Sequence, residues 1–290
     1  MSAEPYRLVL VAGAMRSGTS LLQHVLCASP QANPFVHGCR YLTSQIAIYA
    51  QYAGSDHLYV EDYLGGRDGL TAFTRDILER LLRETHRRLD HPDCLVLKNP
   101  ELSTYFPQAA ALLPSARFVV SVREPKDTIA SMISVGEKHR QSGVNSFLAG
   151  VGRDIAKLSA SYRQFYLPVL RALQKGDEAL KERVLFVGYE SLIGGTEPIV
   201  ERLSAFTGLS LPADTVDDGQ TWRSRVDPEN DEIYSHPRWG AYVTALSGGP
   251  ISAASIGRYR EVLTEAEADQ IDSLCADIRR AFGYAQEGSP

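Results

Sequence analysis

The chain has 290 residues, 44% of them hydrophobic, which suits one domain with a full-sized core. Its formal net charge of −5 excludes a general affinity for nucleic acid, so any anion site must be local. No apolar run approaches the length of a membrane helix, no basic-then-apolar leader is seen, and the four cysteines (Cys27, Cys39, Cys94 and Cys275) form no CxxC pair; together these predict reduced thiols and a cytoplasmic protein that does not engage a membrane.

Leu8 to Val11 is an aliphatic run with two β-branched residues, which predicts a strand buried on both faces. Gly13 ends it, Ser17-Gly18-Thr19-Ser20 follow, and the periodic Leu21, Leu22, Val25 and Leu26 begin a helix. A strand, a glycine turn and a helix N-terminus make an anion site, because unbonded backbone N–H groups and the helix dipole converge there. Gly13, four intervening residues, Gly18 and the hydroxyl of Ser20 match the spacing of a nucleotide P-loop. The lysine that would follow the second glycine is Thr19. That lysine normally reaches the β- and γ-phosphates of a nucleoside triphosphate, so its replacement argues against a kinase or an ATPase. The positive charge sits inside the loop at Arg16, where a guanidinium can grip a phosphate through two bonds.

Further along, Asn33 to Gly38 predicts a second strand ending near His37. Tyr41 to Tyr63 is tyrosine-rich and interrupted by Gly54, and reads equally as the lining of a cleft or as amphipathic core. Thr71 to Leu89 is an amphipathic helix with Phe73, Ile77, Leu78, Leu81 and Leu82 on one stripe. Leu95-Val96-Leu97 predicts a buried strand with Lys98 at its carboxyl end, the end where open parallel sheets bind ligands. Thr104 to Leu113 reads as a helix stopped by Pro114, and Phe118 to Val122 as a strand running into Arg123-Glu124-Pro125, with Pro125 opening a helix that carries Ser131. Asn145 to Leu173 predicts a long helix that Pro168 kinks or ends early. Val184 to Val187 is a fourth strand, and Thr196 caps a helix closing near Gly208. Gln220 to Gly249 lacks periodicity and holds Trp222, Tyr234, His236, Trp239 and Tyr242, which predicts long functional loops. Thr264 to Glu267 is a capping box that opens the last helix, with Leu263 as its staple, and the tail frays from about residue 284.

AMRSGTSLL, LKNP, RFVVSVREPKDTIASMIS, VLFVGYESLI and IGRYREVLTEAE, in that order, resemble the motifs of sulfotransferases that use 3′-phosphoadenosine 5′-phosphosulfate (PAPS). The likeness runs from about residue 7 to residue 275 and is nearer to the Golgi-type, tyrosylprotein and bacterial branches than to the cytosolic aryl branch. It implies a single domain over 1–290 with an α/β, three-layer, P-loop-like fold, a central parallel sheet flanked by helices. It implies transfer of a sulfuryl group from PAPS to a hydroxyl or amine of a small-molecule acceptor, with release of 3′-phosphoadenosine 5′-phosphate (PAP) and no metal. By the same resemblance the 5′ site is Arg16, Ser17, Gly18, Thr19 and Ser20, and the 3′ site is Arg123 and Ser131, with Tyr189, Gly257 and Arg258 as further nucleotide contacts. Lys98 stabilises charge at the breaking bond.

Much of that family carries a glutamate soon after the first helix. This chain has His37-Gly38-Cys39-Arg40 there, which makes His37 the expected general base and leaves His57, Glu61 and Glu101 in reserve. Two other readings remain: a phosphotransferase with an altered P-loop, which needs a magnesium-binding aspartate at a strand end, and a nucleotide-binding relic without catalysis.

Overall fold

The structure is a computed structural model that describes residues 6–54, 58–175, 178–194, 197–212 and 253–284. Strands β1 (Arg7–Gly13), β2 (Cys94–Lys98), β3 (Arg117–Val122) and β4 (Val184–Gly188) form one parallel sheet in the order β2-β1-β3-β4. The helices of the first half are α1 (Thr19–Cys27), α2 (Arg40–Ala53), α3 (Leu58–Leu64), α4 (Gly66–Arg88) and α5 (Phe106–Leu112). Those that follow are α6 (Pro125–Gln141), α7 (Phe147–Val151), α8 (Ile155–Gln164), α9 (Leu167–Gln174), α10 (Glu178–Lys181), α11 (Tyr189–Ile193) and α12 (Glu197–Thr207).

Strand alternation sorts the core into layers. Leu8, Leu10 and Ala12 of β1 join Leu95, Leu97 and Phe118 beneath α2, α4 and α5, while Val9 and Val11 join Val96, Val119 and Val187 beneath α1 and α12. Val120 and Val122 extend the first face toward α6, α8 and the C-terminal helices Glu265–Leu274 and Ala276–Ala281. The expected α/β fold with helices on both faces of a parallel sheet is the one observed.

Two predicted elements differ. Residues 33–38 form no strand; Ala32 makes a single parallel bridge to Cys94. Pro34 has no N–H to donate to a ladder, and the Asn33 side chain takes the place of backbone pairing, accepting from Val96 N at 2.6 Å and donating to Val96 O at 3.3 Å. Cys39 N then donates to Lys98 O at 2.8 Å, so the segment still follows the edge of β2 to its end. The predicted long helix from Asn145 is three helices, α7, α8 and α9. Gly152 at φ 61 ends the first, the Asp154 side chain caps the second, and Pro168 opens the third. The tyrosine-rich stretch is helical, as α2 and α3. The Thr264–Glu267 capping box is present in full. His57, Thr196 and the stretch from Gln220 to Gly249 lie outside the described residues.

Gly13 sits where β1 passes closest to β3. At φ +129, a methyl group there would overlap the Ser121 carbonyl oxygen. Gly13→Ala is therefore expected to lower stability by more than about 1 kcal/mol, since it adds backbone strain to a clash. Urea unfolding measures this; a wild-type midpoint would mean the strands do not approach as described.

Candidate active site

All four strands point their carboxyl ends at one edge, so the residues after them line up in strand order: Lys98, the loop 14–18, Arg123 and Tyr189. Adjacent strands lie about 4.8 Å apart, which separates Lys98 from Arg123 by roughly 10 Å at the backbone.

The loop is held from below. The Ser17 hydroxyl donates to Ala14 O at 2.8 Å and to Ser121 O at 3.2 Å, and the Ser121 hydroxyl donates back to Ser17 O at 2.6 Å. Ser17 N also donates to Ala14 O at 3.1 Å. Ser17, expected to contact ligand, thus spends its polar groups on the loop itself. The fully buried Tyr166 adds a bond from its hydroxyl to Ser121 O at 3.0 Å and accepts one from Ala14 N at 3.3 Å. Gly18, at φ +94, lies so close to the Tyr189 ring that a methyl would overlap it. The first-turn N–H groups of α1, from Thr19 onward, have no intrahelical acceptor and open on the cleft.

Cations flank this helix end on both sides. On the β2 side, Lys98 Nζ donates to Ser20 Oγ at 3.2 Å. Burial lowers the Lys98 pKa to about 8, and the nearby Arg16 charge pushes it the same way. On the β3 side, Arg16 adopts φ 70 and its Nε donates to Ser131 Oγ on α6 at 3.2 Å. Arg16 was expected at the 5′ site with Ser20; its Nε reaches Ser131, and its charge is still felt at Lys98. Arg123 donates through Nη1 to Arg16 O at 3.2 Å and through Nη2 to Ser255 O at 2.6 Å, and it stacks 4.4 Å over the Tyr189 ring. The Arg123 Nε is a buried donor with no acceptor. The Tyr189 hydroxyl shares a 2.7 Å bond with the Ser255 hydroxyl.

The segment 255–259 is brought here by Asp127, which sequence reading missed. Its carboxylate accepts from Gly257 N at 2.8 Å and Tyr259 N at 2.9 Å, and it is 3% exposed. The available signal was an acid in the first turn of a helix, which reads as a dipole partner rather than an anchor. Gly257 joins the segment at φ 73, and Arg258 is exposed and pairs with Glu261 at 3.2 Å. His37 is exposed and lines a groove with Leu97, Leu81 and Leu89. Cys39 lines the same groove, and its N–H bonds Lys98 O at 2.8 Å. Of the reserves, Glu101 pairs with Arg40 at 3.7 Å, and Glu61 lies beside Gly66 between α3 and α4. Among the described residues, no group of three or more His, Cys, Asp and Glu side chains is placed to share a metal ion.

The model of the sulfotransferase family matches residues 9–213. The chain belongs to the sulfotransferase family. That match spans the loop, Lys98, Arg123 and Tyr189. No curated protein matches the sequence. Among solved structures, the sulfotransferase domain of the Synechococcus PCC 7002 olefin synthase aligns with TM-score 0.56 and 15% identity over 99% of this chain and 98% of its own. Sulfotransferase STF9 from Mycobacterium avium aligns with TM-score 0.57 and 15% identity, over 99% and 79% of the two chains. Mouse sulfotransferase SULT7A1, solved with PAP, aligns with TM-score 0.54 and 16% identity, over 96% and 86%. At these identities the likeness is one of fold.

In this sulfotransferase, Asp127→Ala removes two charge-assisted bonds to backbone N–H groups. A loss of about 1–3 kcal/mol in unfolding free energy is expected, with Asp127→Asn losing less. Denaturant titration of both variants measures it; equal stability of all three proteins would show that the 255–259 segment does not depend on Asp127.

Proposed function

We propose that the enzyme moves the sulfuryl group of PAPS to a hydroxyl or amine of a small-molecule acceptor and releases PAP. The observation that carries this reading is the pair of cationic sites on either side of one helix N-terminus, Lys98 with Ser20 and Arg123 with Arg16 and Ser131. A nucleotide with phosphates on both its 3′ and 5′ carbons needs two such sites; a linear triphosphate would leave one unused. Arg123 fits a 3′-phosphate through its unmet buried Nε donor. Gly18, Thr19 and Ser20 offer backbone and hydroxyl donors to the 5′-phosphosulfate, and Tyr189 and Gly257 border the nucleotide between them. The scattered free cysteines support a cytosolic setting.

In the reaction the acceptor atom attacks sulfur in line, the bond from sulfur to the 5′-phosphate oxygen breaks, and that oxygen keeps the electron pair. Lys98, aimed at Ser20, is placed to stabilise the charge gathering there. The phosphotransferase reading lacks support at the strand ends, which carry Lys98, Arg123 and Tyr189-Glu190. The Glu190 carboxylate is occupied by Glu124 N at 3.0 Å and the Tyr284 hydroxyl at 2.9 Å.

PAP should raise the melting temperature well above what ATP with magnesium achieves, because only the former fills both sites. Arg123→Ala should weaken PAP by about 1.5–3 kcal/mol and adenosine 5′-phosphosulfate, which lacks the 3′-phosphate, hardly at all. Calorimetry that finds both ligands equally weakened would remove Arg123 from the 3′ site.

Lys98→Ala should lower kcat by roughly 10²-fold or more while changing PAP affinity far less. The sign of the pH effect follows from the depressed pKa: the ammonium is lost as pH rises through about 8, so wild-type binding of the phosphosulfate should weaken above that pH. Lys98→Ala should flatten this limb, and an unchanged limb would assign it to another group.

A further inference from the structure

Sequence reading gave Tyr189 to the nucleotide and its neighbour Glu190 no role in binding; the structure places Glu190 behind both parts of the proposed 3′ site. Strand β3 ends at Val122, where its ladder with β4 closes on Gly188, and α6 begins at Pro125. The peptide between Arg123 and Glu124 belongs to neither element. Its two polar atoms are bonded instead by side chains from distant parts of the chain. The Tyr162 hydroxyl on α8 donates to Arg123 O at 2.8 Å, and Glu124 N donates to Glu190 Oε1 on α11 at 3.0 Å. One peptide plane is thus gripped at both ends, which fixes the backbone from which the Arg123 side chain departs.

The second part is Tyr189. Its ring packs against Gly18 and carries the Arg123 guanidinium, stacked at 4.4 Å. Glu190 follows it in the first turn of α11, so a fixed Glu190 carboxylate also fixes the backbone that bears the ring. The other carboxylate oxygen, Oε2, accepts from the Tyr284 hydroxyl at 2.9 Å. Burial, and then the Glu190 charge, raise the Tyr284 phenol well above its usual range, so it stays a donor. Glu190 therefore joins the β3–α6 turn, the β4–α11 turn and the C-terminal end of the described chain.

We infer that Glu190 is a positioning residue for the 3′-phosphate: it sets the direction of the Arg123 guanidinium without touching the nucleotide itself. This rests on the proposed binding of PAPS and PAP. The terminal nitrogens of Arg123 are committed to Arg16 O and Ser255 O, and its Nε is a buried donor with no acceptor. A phosphate oxygen meets that donor well only when the guanidinium is held at the right angle, because hydrogen bonds weaken steeply away from linearity.

Calorimetry of PAP and of adenosine 5′-phosphosulfate with the full chain tests this. Glu190→Ala should weaken PAP by about 10-fold or more and adenosine 5′-phosphosulfate, which has no 3′-phosphate, by less than about twofold. Glu190→Gln should restore most of the affinity, because its amide oxygen can accept from Glu124 N and its amide nitrogen can donate to the Tyr284 oxygen. In an Arg123→Ala background, Glu190→Ala should weaken PAP by less than about twofold, since the side chain it positions is already gone. Equal losses for the two ligands, or the same loss with and without Arg123, mark a structural role and overturn the inference. So does Glu190→Gln as weak as Glu190→Ala, or a Glu190→Ala protein that binds PAP like wild type. If Glu190→Ala does not fold, Tyr284→Phe, which removes one of the two bonds, takes its place in the same comparisons, with an expected loss of about threefold for PAP. Wild-type protein that binds no PAP would instead bring down the PAPS reading, and this inference with it.

Discussion

The reciprocal bonding of Ser17 and Ser121 holds the site together. Each hydroxyl donates to the other residue's carbonyl, and both side chains are essentially buried. A backbone loop between a strand and a helix would otherwise leave several polar groups unmet away from water. Here Ser17, Ser121 and the Tyr166 hydroxyl meet them, and Gly13 lets the two strands approach closely enough for this to happen. With the loop fastened from beneath, the first turn of α1 keeps its N–H groups for the cleft, and Arg16 can hold a left-handed backbone conformation that is costly for a non-glycine residue.

The second constraint is electrostatic. A chain with a net charge of −5 gathers Lys98, Arg16 and Arg123 along one sheet edge. Repulsion among them is reduced by giving each guanidinium or ammonium a neutral oxygen: Ser20 for Lys98, Ser131 for Arg16, and the carbonyls of Arg16 and Ser255 for Arg123. Among the described residues, the carboxylates near this edge bond elsewhere. Glu190 holds the Glu124 N–H and the Tyr284 hydroxyl, and Glu124 meets Arg279 at 3.4 Å, while Arg279 meets Asp272 at 2.6 Å. This network ties the C-terminal helices to the turn that carries Arg123. Burial raises the Glu124 pKa to about 7, so its ionisation is balanced near neutrality even beside Arg279.

Much of this was legible in the sequence by itself. The aliphatic runs at residues 8–11, 95–97, 118–122 and 184–187 became the four strands; β1 to β3 are buried on both faces, which needs continuous apolar side chains, and β4 at the sheet edge is half-buried. Glycine spacing set the loop, and the polar or basic residues after each strand had to arrive at one edge because parallel strands share a direction. What needed the tertiary structure was everything decided by side-chain direction and by contacts distant in the chain. Asn33 stands in for a strand the pattern predicted; Arg16 turns toward Ser131, 115 positions away; Asp127 fixes a segment 130 positions later. Local pattern determines which backbone forms, because propensity and burial act within a few residues. Which groups share a cleft depends on how strands are ordered and helices cross, and those are set only when the whole core packs.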